Sequence, residues 1–397
     1  MNNCKKYKLG EIAEKIGDGL HGTPIYDDNG EFYFINGSNL IDGKIAINDD
    51  TKKVSEQEFL KYKKELSENT ILLGINGTIG NIAVYQNEKC ILGKSAAYIN
   101  VGKKFDKNFI RYILANKHFQ NFIKTNASGT TIKNVGLGLL REYEFSAPED
   151  KTTQSRIAQI LTSFDDKIEL LQQMNQTLET MAQAIFKEWF VDFNFPGFDG
   201  DLVDGLPKGW RWESIDKDIE FLNGLALQKF PPLNDDDFLP VIKIREMRQG
   251  VSNSSDKASM EIPEKYIIED GDVLFSWSGS LEVIIWCNGK GALNQHLFKV
   301  SSTKYPKWFY FYWTKHYLPT YQSIASDKAT TMGHIQRKHL AESIINIPDL
   351  ETFKKANNLL EPIIEKIINN STQIQSLTQF RDTLLPQLMS GAVSVEA

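Results

Sequence analysis

The sequence predicts an α+β chain: two pseudo-repeated mixed α/β domains separated by a long antiparallel two-helix coiled coil. Three observations carry that prediction. Residues 151–190 run for forty positions without Pro or Gly. Their apolar residues Ile157, Ile160, Phe164, Ile168, Leu171, Leu178, Met181, Ile185 and Trp189 recur at steps of three, four and seven, one stripe of an α-helix. The chain also repeats itself at an offset of about 200 residues, and each copy opens with short strand-like runs divided by Gly, Asn and Asp turns.

The repeat rests on shared order rather than on identity. Residues 70–77 align with 272–279 at offset 202. From about residue 93 the offset is 200, pairing Phe109 with Phe309, Tyr112 with Tyr312 and Pro148 with Pro348. In the helices it is 199, pairing Lys167 with Lys366 and Leu178 with Leu377. Small loop deletions account for the drift. A first domain over 1–150 holds strands at 31–35, 70–73 and 82–85, then a helix over 107–125. The long helix 151–190 follows, and 191–209, rich in Gly, Asp and Pro, is a linker. The second domain, 210–350, has strands at 272–277 and 283–286 and a helix over 307–323. A second long helix occupies 351–390, and 391–397 is a tail. The second stripe is Leu360, Ile363, Ile367, Ile374, Leu377, Leu384 and Leu388; Pro362 is tolerable only near the helix start, and Pro386 should end or kink it. At about 1.5 Å per residue the first helix reaches roughly 55–60 Å, so its stripe needs a partner. The second stripe supplies it, with Ile168, Leu171, Leu178, Met181 and Ile185 facing Ile367, Ile374, Leu377 and Leu384. Gln172, Gln173 and Asn175 in one helix, and Asn370 and Ser371 in the other, interrupt the stripes and set register.

The totals restrict the function class. At 397 residues the chain should form two or more domains. No apolar run approaches a membrane span, and the N-terminus has no apolar core of a secretory signal. Cys4, Cys90 and Cys287 are too few and too scattered for a disulfide frame or a Cys-based zinc site, so a reducing, cytoplasmic setting is expected. The net charge of −6 is unlike that of most nucleic-acid binders. It is unevenly spread: residues 1–150 hold 20 Lys+Arg against 19 Asp+Glu, whereas 191–350 hold 17 against 22. A phosphate-binding surface must then be a local patch, or one shared with another subunit.

Catalytic signatures are missing. There is no Walker A sequence and no G-x-G-x-x-G; Gly74, Gly77 and Gly80 have the wrong spacing and serve turns. Pro348-Asp349-Leu350-Glu351 begins like a PD-(D/E)xK nuclease site, but Phe353 stands where its Lys should be and the place aligns with a helix start. His334 and His339 lack a third ligand at zinc-like spacing. No G-x-S-x-G, H-E-x-x-H or amino-methyltransferase Pro-Pro run appears. Together these favour a binding or scaffolding protein.

Equivalent loops in the two copies are polar but chemically different. One pair is Ser128-Gly-Thr130-Thr131-Ile-Lys133-Asn134 and Lys328-Ala-Thr330-Thr331-Met-Gly-His334-Ile-Gln336-Arg337-Lys338. A second is Asn76-Gly-Thr78 and Trp277-Ser278-Gly-Ser280; a third is Lys94-Ser95 and Asn294-Gln295-His296. Hydroxyls and backbone N–H groups suit phosphates, while Asn, Gln, His, Arg and Lys suit base edges. Any one of these is ordinarily a solvated loop. Jointly they fit two modules built alike that read different things.

At this point the chain resembles the specificity subunits of type I restriction-modification enzymes. The resemblance spans essentially the whole chain and is carried by the duplicated layout, Gln154-Ser-Arg-Ile-Ala, the run from Gln176 to Phe193 and Leu293-Asn-Gln-His-Leu-Phe. Leu384-Leu-Pro-Gln-Leu-Met-Ser-Gly is similar to the C-terminal helix end of the family. The resemblance implies two target recognition domains, each reading one half of a bipartite asymmetric site on double-stranded DNA. Their helices would set the gap and dock the modification (methyltransferase) subunits, two of them, beside a restriction and translocase subunit. Catalysis would lie in those partners, with S-adenosylmethionine, ATP and Mg2+; this chain would hold no cofactor and no metal. A non-enzymatic assembly scaffold or protein-binding repeat protein is the alternative from another class, and a self-contained methyltransferase a third.

Overall fold

A computed structural model describes residues 4–129, 133–234, 236–326, 333–390 and 393. The chain divides into two compact units: Met1–Asp166 with Thr378–Ala397, and Lys167–Leu377. Each holds one of the expected domains together with a stretch of each long helix.

In the first unit, Thr70–Gly74 lies between Ala96–Val101 and Ile82–Val84, and Ala13–Asp18 completes a four-stranded antiparallel sheet. Its central strand is an unbroken apolar run because both its faces are covered. Ile71 and Leu73 enter one core with Phe109 and Ile113, while Leu72 enters another with Ile35, Leu92 and Tyr98. That second core lies under a small mixed sheet, in which Phe32–Ile35 runs parallel to Cys90–Leu92 and antiparallel to Lys53–Val54. Cys4–Lys8 pairs with Glu144–Pro148 and leads the chain to the first long helix.

The second unit repeats this plan. Its four-stranded sheet, in order Glu220–Asn223, Leu297–Ser301, Val273–Ser276, Glu282–Ile285, has the same connectivity. Val273 and Phe275 face one core, Leu274 the other. Leu239–Ile242 again pairs parallel with Gly291–Leu293 and antiparallel with Lys257–Ala258. Arg211–Ser214 pairs with Ile344–Ile347. The strands expected from sequence at 31–35, 70–73, 82–85, 272–277 and 283–286 are all present, with ends moved by one residue.

The domain helices differ from expectation. The segment 107–125 is two helices, Lys107–Ala115 and Lys117–Asn126. Asn116 adopts an extended backbone, and its side chain caps the second helix by accepting from His118 N at 2.8 Å. The counterpart Lys307–Ser326 runs unbroken and includes Pro319. Pro319 lies on the exposed side, and Tyr321 just beyond it is fully buried, its hydroxyl 2.8 Å from Ser343 Oγ.

Both long helices begin on an aspartate one or two residues past a proline, Asp150 after Pro148 and Asp349 after Pro348. Asp150 accepts from Thr153 N at 2.9 Å, and Asp349 accepts from Thr352 N at 3.0 Å. The Pro348-Asp349 pair is therefore a helix cap. The Thr153 hydroxyl, then the Thr153 and Thr152 N–H groups, hold the Asp150 carboxyl below its usual range; at Asp349 burial pushes up, and the bonds from Thr352, Glu351 and Trp210 outweigh it.

The first long helix is Lys151–Phe186, closed by a wider turn over Lys187–Val191, after which Phe193 takes a left-handed φ of 58°. The second is Leu350–Ser390, within one residue of the expected 351–390. It contains Pro362 and continues through Pro386, because Leu385, Leu388 and Met389 pack into the first unit's core beside Ile157, Ala158 and Leu161. Within each unit the stretches pair antiparallel. Asp165 meets Arg381 at 2.8 Å in the first; Asn175 meets Asn370 and Ser371, each at 2.9 Å, in the second. Ile168, Leu171 and Ile367 are buried, and Leu178, Ile185, Ile374, Leu377 and Leu384 are half-buried. Met181 departs from the expected stripe: it is 50% exposed, and Ala182 and Phe186 take the inward positions. Of the polar interruptions, Asn175 and Asn370 are buried while Gln172 and Gln173 face solvent.

Candidate nucleic-acid interface

In the first unit the expected loops converge on the end of the four-stranded sheet. Asn76 and Asn134 form an antiparallel bridge, and Asn76 Nδ2 donates to Asn134 Oδ1 at 3.4 Å. Val135 N donates to Ile75 O at 2.8 Å, and Asn134 N donates to Ser128 O at 2.7 Å, so the two loops are one backbone assembly. Lys94 and Lys133 stand exposed beside it. Ser95 is committed internally: its hydroxyl accepts from Gly37 N at 2.9 Å and donates to Asn36 Oδ1 at 3.0 Å. Thr78 departs from the expectation of an outward hydroxyl. Its Oγ1 is buried and, among the described residues, unpaired, turned toward Gly37. Thr130 and Thr131 lie outside the described residues.

The second unit builds the same bridge from other side chains. Ser278 pairs with His334; Ile335 N donates to Trp277 O at 3.0 Å and Gly279 N donates to Gly333 O at 2.8 Å. Trp277 lies at the centre of the cluster. Its indole N–H donates to Asn223 Oδ1 at 2.9 Å, and its ring is 5.9 Å from His296 and 6.3 Å edge-on to His334. Ser278 Oγ is 3.0 Å from His296 Nδ1, and Gln295 Nε2 is 3.4 Å from His296 Nε2. Ser280, Gln336, Arg337 and Lys338 are exposed. Arg337 is partly anchored, donating to Phe221 O at 3.2 Å and lying over the Phe298 ring. Lys328, Thr330 and Thr331 lie outside the described residues. His339 faces inward and serves its own helix, Nδ1 accepting from Gln336 N at 3.0 Å.

Sequence reasoning missed one element of this surface in both units, the turn after the central strand of the mixed sheet. In the first it is Asn36–Asn39, where Asn36 N donates to Asn39 Oδ1 at 3.0 Å. In the second it is Lys243–Glu246, where Lys243 N donates to Glu246 Oε2 at 3.2 Å. Asn36 touches Ser95, which places this turn against the Lys94-Ser95 loop. The second unit's version is basic, with Lys243, Arg245 and Arg248; the Asn-Gly pair at 36–37 was the only sequence signal.

The chemistry of the two surfaces differs. The first presents carboxamides (Asn36, Asn76, Asn134) and lysines; the second presents an indole, two imidazoles and carboxamides flanked by Arg337 and Lys338. Carboxamides match the N6/N7 edge of adenine, and cationic groups match guanine edges and phosphates. Among the described residues no group of three or more His, Cys, Asp or Glu is placed to hold a metal ion.

Comparisons with known proteins give one consistent family. The chain matches the type I restriction modification DNA specificity domain over residues 1–180 and again over 207–379. It is 26% identical to the type I restriction enzyme MjaIX specificity subunit of Methanocaldococcus jannaschii, over 98% of this chain and 93% of that protein. It is 22% identical to the HindI specificity subunit of Haemophilus influenzae, over 99% of this chain and 100% of that one. A crystal structure of a type I restriction-modification S subunit from M. genitalium has the same fold, with a TM-score of 0.62 at 16% identity, covering 100% of this chain and 97% of that one.

Proposed function

The chain belongs to the family of type I restriction-modification DNA specificity subunits, and from that premise we propose that its two units read the two halves of one bipartite, asymmetric DNA site. The observation that carries this reading is the repeated bridge. Asn76 with Asn134, and Ser278 with His334, occupy the same place in the same topology with different side chains. A common frame with exchanged recognition groups is what two readers of unlike sequences require.

The subunit is non-catalytic and works within an assembly with other subunits and DNA. In this reading the paired long helices set the distance between half-sites and dock two modification subunits. Exposed apolar side chains on the helices, Leu170, Met181, Leu359 and Phe380, offer contact area for such docking. S-adenosylmethionine-dependent adenine methylation, and ATP- and Mg2+-dependent translocation and cleavage by a restriction subunit, belong to the partners. The acidic net charge of −6 fits a chain whose partners close round the DNA and supply phosphate contacts. Among the described residues no helix is long and apolar enough to cross a membrane.

The test is to map methylated adenines in cells carrying the assembled modification complex. The expected motif has two fixed parts separated by a fixed gap of unspecified bases. Exchanging residues 1–150 for the corresponding domain of a relative should replace one part and leave the other. A change in both parts, or a single uninterrupted motif, would overturn the two-reader assignment. An assembly scaffold, by contrast, would bind no DNA, so a steep loss of affinity with rising salt separates the two.

A further inference from the structure

The loops that carry Asn76 and Ser278 are each tied to a domain helix by a glutamine. In the first unit, Gln120 Nε2 donates to Gly80 O at 3.0 Å and to Leu114 O at 2.9 Å, linking the helix Lys117–Asn126 to the descending leg of the turn. In the second, Gln322 Nε2 donates to Leu281 O at 3.0 Å from the helix Lys307–Ser326. The acceptors are equivalent by register: Gly80 precedes Asn81, whose carbonyl accepts from Gly74 N on the central strand, and Leu281 precedes Glu282, which pairs with Ser276 on the central strand.

Each glutamine also stands at the edge of a cleft. One, of about 390 Å³, is bounded by Gly43, Gly80, Asn81, Arg111 and Gln120. The other, of about 440 Å³, is bounded by Arg248, Ser280, Leu281, Gln322 and Gly333. A close-packed interior would fix the turns by contact on every side. Among the described residues each turn borders a cleft on one side, and there the glutamine amide ties it to a helix. At Gly80 the fit is tight: φ is +94°, and a Cβ there would lie 2.1 Å from Gln120 Oε1.

We infer that Gln120 and Gln322 are positioning residues for base recognition, each holding one reading turn at the height from which its side chains meet the groove. Neither touches DNA itself. Loss of the amide lets the turn settle toward its cleft, so its side chains lose their register with the base edges while the rest of the surface keeps its phosphate contacts. This deepens the proposed function and rests on it.

The experiment uses the whole specificity subunit assembled with its modification partners, and measures methylation of a panel of DNA duplexes with single-base changes in each half-site. Gln120→Met keeps the side chain's length and removes the donor. It should lower discrimination in the first unit's half-site by about tenfold, leaving the other half-site, the salt dependence and the melting temperature at wild-type values. Gln322→Met should do the same to the second half-site alone. Gly80→Ala should reproduce the first effect, because its Cβ displaces the same amide. Wild-type discrimination in both Met variants, or equal loss in both half-sites from either one, would overturn the inference. If one variant fails to assemble, the other carries the test. A wild-type complex showing no bipartite motif would sink the underlying assignment instead, so the two failures are distinct.

Discussion

Asn370 donates its side-chain amide to Asn175 Oδ1 at 2.9 Å, both side chains buried where the two long helices meet and flanked by apolar positions such as Leu171, Ile364 and Ile367. Asn175 in turn donates to Ser371 Oγ at 2.9 Å, and the two asparagines are only 9% and 1% exposed. Apolar seams tolerate sliding by a turn, since one Leu or Ile replaces another. A buried amide pair does not, because any other alignment leaves both groups without partners. Asn370→Ala should cost about 1–3 kcal/mol in chemical denaturation. Replacing both asparagines by Leu should restore most of that while permitting alternative alignments, visible as broadened or duplicated NMR resonances along the helices.

Asp165 accepts from Tyr112 OH at 2.6 Å and from Arg111 and Arg381 at 2.8 Å each, joining the domain helix Lys107–Ala115 to both long helices. Burial pushes its carboxyl up, but these three partners together hold it below the ordinary aspartate value. A depressed pKa in the folded state gives stability that is complete above the unfolded value of about 3.9 and is lost as pH falls through the folded value. Asp165→Asn should therefore destabilise the protein by about 2–4 kcal/mol at pH 7. The gap from wild type should begin to narrow below about pH 4 and close as pH falls through the lowered folded value, as read from urea midpoints across a pH series.

Met181 and Ala182 are neighbours with opposite roles, 50% and 0% exposed. Met181→Gln should change folding stability by less than about 0.5 kcal/mol. Ala182→Leu should cost about 1–3 kcal/mol through overpacking against the helix partner. If Met181 contacts a modification subunit, Met181→Gln should weaken subunit capture, measured by gel filtration, while the melting temperature stays put.

The spacing assignment gives a length. Adding seven residues to each long helix, one insertion near Gln172 and one near Ile374, lengthens the pair by about 10 Å. At ~3.4 Å per base pair the unspecified gap should grow by about three base pairs. Sequencing of methylated motifs would show this directly, and an unchanged gap would remove the ruler.

Trp277 should be sensitive to small changes. Trp277→Phe keeps an aromatic ring beside His296 and His334 but drops the indole N–H that holds Asn223. Discrimination in the second half-site should fall several-fold, at about 1 kcal/mol for one hydrogen bond, with the first half-site unaffected.

Periodicity and repetition made the frame legible in the sequence. The duplicated strands of the four-stranded sheets and the two long helices lie where the stripe and the offset put them, because burial leaves a direct mark on residue type. Side-chain commitments left no such mark. Nothing in the sequence distinguishes Ser95, spent on Gly37 and Asn36, from Ser280, which faces solvent. Thr78 reads as an exposed turn residue, yet its hydroxyl points inward. Met181 satisfies a step of three from Leu178, but the helix partner meets the face one residue on, at Ala182. Gln120 and Gln322 escaped because the repeat's offset of 200 aligns Gln120 with Thr320. The break at Asn116 in one copy, and its absence in the other, lets residues two positions apart reach equivalent carbonyls.

Leu385, Leu388 and Met389 finish a core that Leu9 and Ile12 begin. A ribosome makes Leu9 and Ile12 long before the other three. At roughly 5–20 residues per second, the 224 positions from Leu161 to Leu385 take roughly 10–45 s to synthesise. During that interval the earlier-born domain waits with Ile157 and Leu161 uncovered, whereas the later-born one has all its own pieces by residue 377. The order of birth and the order of completion are thus reversed. A premature stop just before Leu388 should spare the younger domain and destabilise the older one, which loses Leu388 and Met389 from its core.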